Sequence, residues 1–260
     1  MRSSQTTPAI VLRARPYGES DKIVTFLTED FGKLTGIAKG ALRSRRRFVN
    51  SLEPFSLITL CFEERSHTSL AFIAGAELLF GLRQLAASLE RISYAAYLVE
   101  ITDGLISERQ ENASVFQHLR DGLRHLEQIG SSLRFLTYYE LKLLHLVGYR
   151  PALESCKRCG QARSAGSSGQ WYFSPADGGM LCEPCTRVRR DVLPLGHAAA
   201  DMLSMLQSDD HDLSSRVILP GSVIREMRMV LLRFIQYQMD REIKSAAFLN
   251  QFSGLESSAT

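Results

Sequence analysis

The chain has 260 residues, an ordinary globular composition with 45% hydrophobic and 23% charged residues, and a formal net charge of +3. That length is enough to bury a real core and allows one to three domains. No apolar run reaches the ~18 residues of a membrane span. The opening Met1-Arg2-Ser3-Ser4-Gln5 shows neither an apolar leader nor a lipidation signal. The expectation is a soluble, cytoplasmic protein making no membrane contact. Charge is unevenly spread: residues 1–50 hold ten Lys or Arg and four acids, a net +6, and the remaining 210 residues sum to −3. A basic N-terminal region on a near-neutral body points to a polyanion partner.

The first eighty or so residues read as β-strands. Ile10–Leu12, Lys22–Thr28 and Lys33–Ala38 are short runs rich in β-branched residues, and Pro16-Tyr17-Gly18 and Glu29-Asp30-Phe31-Gly32 punctuate them as turns. Two further runs follow at Phe55–Phe62 and Thr68–Ala76. Five short strands in so short a stretch fit a small barrel, for which the five-stranded OB-fold is the leading expectation. Gly36 inside the third run is then a bend or bulge that lets the sheet curl. Cys61 lies in the apolar run Leu57–Phe62 and reads as a small core residue.

The densest cationic run, Lys39-Gly40-Ala41-Leu42-Arg43-Ser44-Arg45-Arg46-Arg47-Phe48, falls between the third and fourth strands, on a loop at the barrel's rim. Arginine forks match phosphate geometry, and glycine and serine let one backbone approach another. Lys39, Arg43, Arg45, Arg46 and Arg47 are therefore candidate nucleic-acid contacts, with Phe48 a candidate platform for a stacked base. The alternative is a solvated basic loop.

From about residue 82 the apolar period becomes helical, with Leu85, Leu89, Ile92, Ala96 and Val99 spaced by three or four. A second helix is predicted over about 114–129, stopping at Gly130. A third runs over about 133–147, capped by Ser131-Ser132 and closed by Gly148 with Pro151 beyond. Helical pattern resumes at 197–207 and at 223–241. Small polar residues at 253–260 read as a frayed end.

Between these helices sit Cys156-Lys-Arg-Cys159 and Cys182-Glu-Pro-Cys185, a C-x2-C-x22-C-x2-C pattern with a surface loop at 164–169. Each pair aims two thiolates at one point, and two facing pairs make a closed tetrahedral cage suited to Zn²⁺, or to a mononuclear iron in the same role. Gly160 and Gly178-Gly179 stand where knuckle turns need positive φ. A four-thiolate cage leaves no position for water or substrate, so the metal is read as structural. The alternatives are ligand geometry with no metal, and a redox pair. The resulting layout is a barrel domain at 1–80, a helical domain at 81–151 and 191–250 interrupted by a metal module at 152–190, and a tail at 251–260.

No catalytic constellation emerges. The six histidines (67, 118, 125, 145, 197 and 211) lack HExxH or HxH spacing, and there is no nucleophile elbow and no Walker loop. The chain is read as a non-enzyme with an α+β multidomain fold.

At this point the whole chain resembles the RecO family of recombination mediators. Tyr17–Val24, Thr28, Gly32-Lys33 and Ile37–Ala41 resemble the family's OB region, and Leu52-Glu53-Pro54-Phe55 its next strand entry. Leu141–Leu144, Gly148–Pro151 and Cys156–Gly160 resemble the approach to its zinc module. Phe173-Ser174-Pro175 with Gly178–Cys185 resembles the module's second half, and Lys244-Ser245 with Phe248-Leu249 its last helix. The likeness spans about residues 7–250, and the order and spacing of these motifs are more specific than any one of them.

The resemblance implies an OB-fold, a helical domain, a zinc-binding insertion and no catalytic turnover. It implies DNA repair by homologous recombination: binding of single- and double-stranded DNA, annealing of complementary strands, and work with RecR to load RecA on DNA coated by single-stranded DNA-binding protein. It further implies contact with the acidic C-terminal tail of that coat protein. Such a tail needs an apolar pocket with cations on its rim, and the helix at 133–147 offers Phe135, Leu136, Tyr139 and Leu143 beside Arg134 and Lys142. The alternative is that this stripe is bundle core. Two rival functions stand beside the resemblance. An RNA-binding or transcription-associated protein would also join an OB-fold to a zinc ribbon. A zinc deaminase would need an H-x-E that the sequence lacks.

Overall fold

The computed structural model describes residues 4–44, 46–64, 70–163, 169–208 and 220–252. Arg45, His67, His211, most of the loop expected at 164–169 and the end expected to fray at 253–260 lie outside them. The chain divides into two compact units, Met1–Gly130 and Ser131–Thr260. It is an α+β protein with a five-stranded N-terminal sheet.

In the first unit, β1 (Ser4–Tyr17), β2 (Asp21–Thr28), β3 (Lys33–Ala38), β4 (Leu57–Glu63) and β5 (Ala71–Phe80) close into a barrel in the order β1-β2-β3-β5-β4. Alternation sends Ala9, Val11, Val24, Phe26, Leu34, Ile58, Leu60, Phe62 and Ile73 into one continuous core. Antiparallel pairs make most of the wall, and a short parallel pairing of β3 with β5, Gly36 to Ala71 and Ile37 to Phe72, completes it. Gly36 is neither a bend nor a bulge: its pairing with Val24 is regular. A Cβ there would lie 2.9 Å from the Ala71 carbonyl oxygen and 2.4 Å from the Ile73 side chain, so glycine suits the close approach of β5.

Helices α1 (Arg83–Ala86), α2 (Leu89–Leu105) and α3 (Ala113–Gln128) follow the barrel. Ser88 caps α2 by accepting the Arg91 N–H, and Asn112 caps α3 by accepting the Val115 N–H. Helices α2 and α3 pack against β1. The barrel is tied to α2 by an ionic knot: the Lys33 ammonium donates to the Asp103 carbonyl at 2.7 Å and to its carboxylate at 3.2 Å, and that carboxylate also meets the Arg13 guanidinium at 3.3 Å. Gly32 closes the preceding turn at φ +64°, where a Cβ would lie 2.2 Å from the Gln110 carbonyl.

The second unit holds α4 (Leu133–Leu146), α5 (Glu183–Thr186), α6 (His197–Gln207), α7 (Gly221–Met239) and α8 (Lys244–Phe252), with a small sheet of β6 (Trp171–Ser174), β7 (Gly179–Cys182) and β8 (Leu193–Pro194) in the order β7-β6-β8. Ser132 caps α4 by accepting the Phe135 N–H, and Gly148 follows its end at φ +85°. Helices α6 and α7 pack on α4. The sheet joins this bundle through Phe173, whose ring meets Phe234 of α7 edge-on at 5.2 Å. Between α4 and α7 lies a buried ion pair, Glu140 with Arg228.

Replacing Glu140 with alanine takes the carboxylate away from a buried guanidinium, which costs about 3–5 kcal/mol. Replacing both partners, Glu140→Leu with Arg228→Met, should restore most of that loss. Urea unfolding followed by Trp171, the chain's single tryptophan and itself part of this unit, measures both. Equal stability of the single variant and the parent would show that the pair carries no such weight.

Candidate metal centre and nucleic-acid interface

The four cysteines singled out from spacing converge. The sulfurs of Cys156, Cys159, Cys182 and Cys185 all lie within 4.8 Å of one another, with Cys159 and Cys182 at 3.6 Å. A tetrahedron with ~2.3 Å metal–sulfur bonds spaces its sulfurs by ~3.8 Å. The residues present therefore fit a single four-coordinate metal ion.

Local folding accounts for the convergence. The first knuckle closes as the Gly160 N–H donates to the Cys156 carbonyl at 2.9 Å, with Gly160 at φ +75°. The second follows the β6–β7 hairpin, where Trp171 pairs with Cys182 and Cys182 leads directly into α5. The two halves are bolted edge to edge: the Ala152 N–H donates to the Gly178 carbonyl, the Met180 N–H to the Ala152 carbonyl, and the Lys157 N–H to the Met180 carbonyl. Gly179 permits this, since a Cβ would lie 2.6 Å from the Ala152 oxygen.

The electrostatics ask for a cation. Burial opposes ionisation of Cys156, but N–H groups of Cys159, Cys182 and Arg158 outweigh it and bring that thiol down to about 6. Burial pushes the Cys182 thiol up, and its hydrogen bond with Cys182 pushes Cys185 up to about 12, with burial adding to the effect. Four like charges cannot share so small a space without a metal to offset them.

On the first unit, the cationic loop lies where the sequence places it, between β3 and β4. It is fastened to the β1–β2 turn: the Gly40 N–H donates to the Asp21 carboxylate at 2.8 Å and the Leu42 N–H to the Ser20 carbonyl at 2.9 Å. The Gly40 N–H, then the Ser20 hydroxyl, hold the Asp21 carboxyl below the usual range. Lys39, Arg43, Arg46 and Arg47 are exposed. Arg47 is partly engaged, donating to the Lys39 carbonyl at 2.8 Å.

Phe48 departs from expectation. It is 5% exposed and belongs to the barrel core. The Arg47 carbonyl accepts the Ala76 N–H of β5, which turns the next side chain inward. A buried ring offers no face to a base, so Phe48 is a packing residue whose own face carries the Arg47 guanidinium at 5.1 Å.

The sequence reading passed over a second cationic surface. Pro16 and Tyr17 are not a turn; they continue β1. A bulge at Leu12 shifts the register against β2, so Val11 pairs with Phe26 but Arg13 pairs with Thr25. The shift turns Arg13, Arg15 and Tyr17 outward. The signal was present in the alternation Arg13-Ala14-Arg15-Pro16-Tyr17.

Comparison with known proteins agrees with this layout. The family models for Recombination protein O N terminal and C terminal match residues 1–82 and 86–247. The chain is 33% identical over 252 residues to the DNA repair protein RecO of Syntrophus aciditrophicus, covering 96% of each chain. It is 34% identical over 247 residues to that of an Anaeromyxobacter species, covering 95% of each. It is 30% identical over 249 residues to that of Caldanaerobacter subterraneus, covering 95% of this chain and 98% of the other.

The chain belongs to the RecO family. Its place is thus among proteins of DNA repair and recombination. For a RecO protein, the stripe on α4 needs correction. Leu136, Tyr139 and Leu143 are fully buried, the bundle-core alternative. Burial of Tyr139 removes it from any pocket lining. Phe135 is half-buried, tilted against Tyr139 at 6.3 Å, and Arg134 and Lys142 are half-buried beside it. No helix of the described residues is long and apolar enough to cross a membrane.

Metal uptake should release protons at neutral pH, because Cys182 and Cys185 hold theirs without a metal. Affinity should fall as pH drops through about 6, where Cys156 also becomes protonated. Cys182→Ser should remove most of the bound metal and lower the urea midpoint. Pulsed titration of metal into chelated protein in a weak buffer, with a pH indicator, reads the proton count. Uptake without proton release would contradict the assignment.

Proposed function

We propose that this chain is a non-enzymatic recombination mediator, which binds single- and double-stranded DNA through its barrel and anneals complementary strands. In this reading it acts with RecR to load RecA on DNA coated by single-stranded DNA-binding protein. The barrel is an OB-fold occupying about residues 1–80, supported by the strand order β1-β2-β3-β5-β4 and its closure. The observation that carries the reading is the exposed loop with Lys39, Arg43, Arg46 and Arg47, pinned to the barrel through Asp21 and Ser20 within a chain of this family. Arg45, outside the described residues, extends the same run. The family match leaves the RNA-binding and transcription alternative without support of its own.

The metal is proposed to be Zn²⁺, about one per chain. Four thiolates select a soft tetrahedral ion and leave no open position, so it supplies structure and no chemistry. The module at 152–190 is then an insertion in the helical domain.

Arg43→Ala with Arg46→Ala should weaken binding to DNA by at least about tenfold at moderate salt. Each lost phosphate contact flattens the slope of log K against log salt by roughly 0.7–0.9. The same variant should anneal coated complementary strands more slowly, with or without RecR. Unchanged affinity and slope would remove the loop from the interface.

The coat protein's acidic tail is proposed to dock on the α4 side of the second unit, with Arg134 and Lys142 as cations and Phe135 as the apolar contact. Charge reversal at Arg134 or Lys142 should weaken binding of a fluorescent tail peptide while leaving naked DNA binding intact. Wild-type polarization titrations in both variants would move the receptor elsewhere.

A further inference from the structure

The four thiols of the second unit are not equivalent. Cys156 and Cys182 are buried, Cys185 is half-buried and Cys159 is exposed. The Cys156 sulfur accepts the backbone N–H groups of Cys159, Cys182 and Arg158, and the Cys182 sulfur accepts that of Cys185. An N–H bonded to a thiolate stabilises it and lowers its nucleophilicity. Cys156 and Cys182 are thus shielded twice, by burial and by bonding. Cys159 instead meets solvent directly after Lys157 and Arg158, both exposed. A partly open, electropositive surrounding is where thiolates react. As a metal ligand Cys159 is also held deprotonated.

The exposed sulfur has a partner within reach. It lies 3.6 Å from the sulfur of Cys182, across the two halves of the module. Closing that gap to a disulfide of ~2.05 Å takes a shift of about 1.5 Å. Twenty-two residues separate the two cysteines, so a bond between them joins the halves. A bond within Cys156–Cys159 or within Cys182–Cys185 joins nothing that the knuckle does not already hold.

Resting on the metal reading above, we infer that the four-cysteine centre is a site of oxidative modification by peroxide, where a Cys159–Cys182 disulfide takes over the crosslink from the ion. The Cys159 thiolate attacks one oxygen of hydrogen peroxide. An S–O bond forms, the O–O bond breaks, and the departing hydroxide takes up a proton. The Cys182 thiolate then attacks the Cys159 sulfenic sulfur. The S–S bond forms, the S–O bond breaks, and the second hydroxide takes up a proton. The two sulfurs give up two electrons, and one peroxide becomes two waters. Cys156 and Cys185 alone are too few to retain the ion. The halves nevertheless stay joined, and Phe173 keeps its place against Phe234. A thiol reductant reverses the bond and restores the ligand set.

The test uses the full chain loaded with Zn²⁺ and treated with hydrogen peroxide. A chromogenic chelator reads the released ion, and mass spectrometry of peptides digested without reduction maps the disulfide. The Cys159–Cys182 linkage should appear as the ion is released, and a dithiol with added Zn²⁺ should reverse both. Histidine ligates zinc but forms no disulfide. Cys159→His should therefore slow release at least about fivefold, whereas Cys185→His should release at near the parental rate. The oxidised parent should keep a urea midpoint closer to that of the loaded chain than to that of the reduced, chelated chain. A midpoint equal to that of the chelated chain would overturn the takeover of the crosslink. A linkage within either C-x2-C pair or through Cys61 would overturn the pairing, as would release from Cys159→His as fast as from the parent. Where a variant holds no metal, the linkage mapped in the parent decides. A parent that binds no Zn²⁺ would overturn the zinc reading, and the linkage mapped in that metal-free chain would still decide the pairing.

Discussion

Barrel closure rests on two residue pairs, Gly36 with Ala71 and Ile37 with Phe72. Every other seam joins strands in long antiparallel register, either within a local hairpin or along β1 and β4. The β3–β5 seam is short, parallel and made after the chain has travelled through the cationic loop and β4. It also abolishes the open edges that a five-stranded sheet would otherwise present. A side chain at position 36 would press on the Ala71 carbonyl and on Ile73 of β5. The loop that carries Lys39 to Arg47 begins two residues beyond this seam, so its position on the rim follows from closure.

Closure also divides the outer wall. Ile10 and Leu27 are buried there beneath the helices that pack on β1 and β2, and the Lys33–Asp103 contact locks α2 in place. Lys33 and Asp103 are nearly buried; the ammonium is held by the Asp103 carboxylate and carbonyl, and the carboxylate by Lys33 and Arg13. Past the bulge the same wall emerges from cover. One extra residue in β1 therefore separates a part of the sheet used for packing from a part left exposed.

Much of this was legible in the sequence, because the signals were local. Runs rich in β-branched residues marked β2 and β3, the Ser131-Ser132 pair marked the start of α4, and paired cysteines marked the four-thiol cluster. Features that depend on distant neighbours were not legible. Gly36 looks like a bend until Ile73 is known to face it. Phe48 looks like a stacking ring because it ends a cationic run, but the bond from Ala76 to the Arg47 carbonyl decides where it points. The stripe Leu136, Tyr139 and Leu143 satisfies a pocket and a bundle core equally well as a pattern; only the packing of α6 and α7 on α4 selects the core. Proline at 16 and glycine at 18 suggested one turn; Gly18 does begin the turn, at φ +61°, whereas Pro16 is tolerated in β1 because the strand has left β4 and projects as the outer strand of a hairpin.

The metal centre answers a different problem. Around it the module buries few large side chains, chiefly Trp171, Phe173, Met180 and Leu181. So small a core cannot by itself hold two knuckles at a distance of twenty-two intervening residues. Backbone bonds from Ala152, Lys157 and Met180 align the halves, and Gly179 lets them touch, but those bonds place four thiols within reach of one another, and burial and mutual hydrogen bonding push Cys182 and Cys185 up. A bound cation would convert that mutual repulsion into a crosslink. Phe173 reaches from the sheet to Phe234, so such a crosslink would act on α7, and through the Arg228–Glu140 pair on α4. Under the structural reading proposed above, the cysteines would act on the helical bundle by packing.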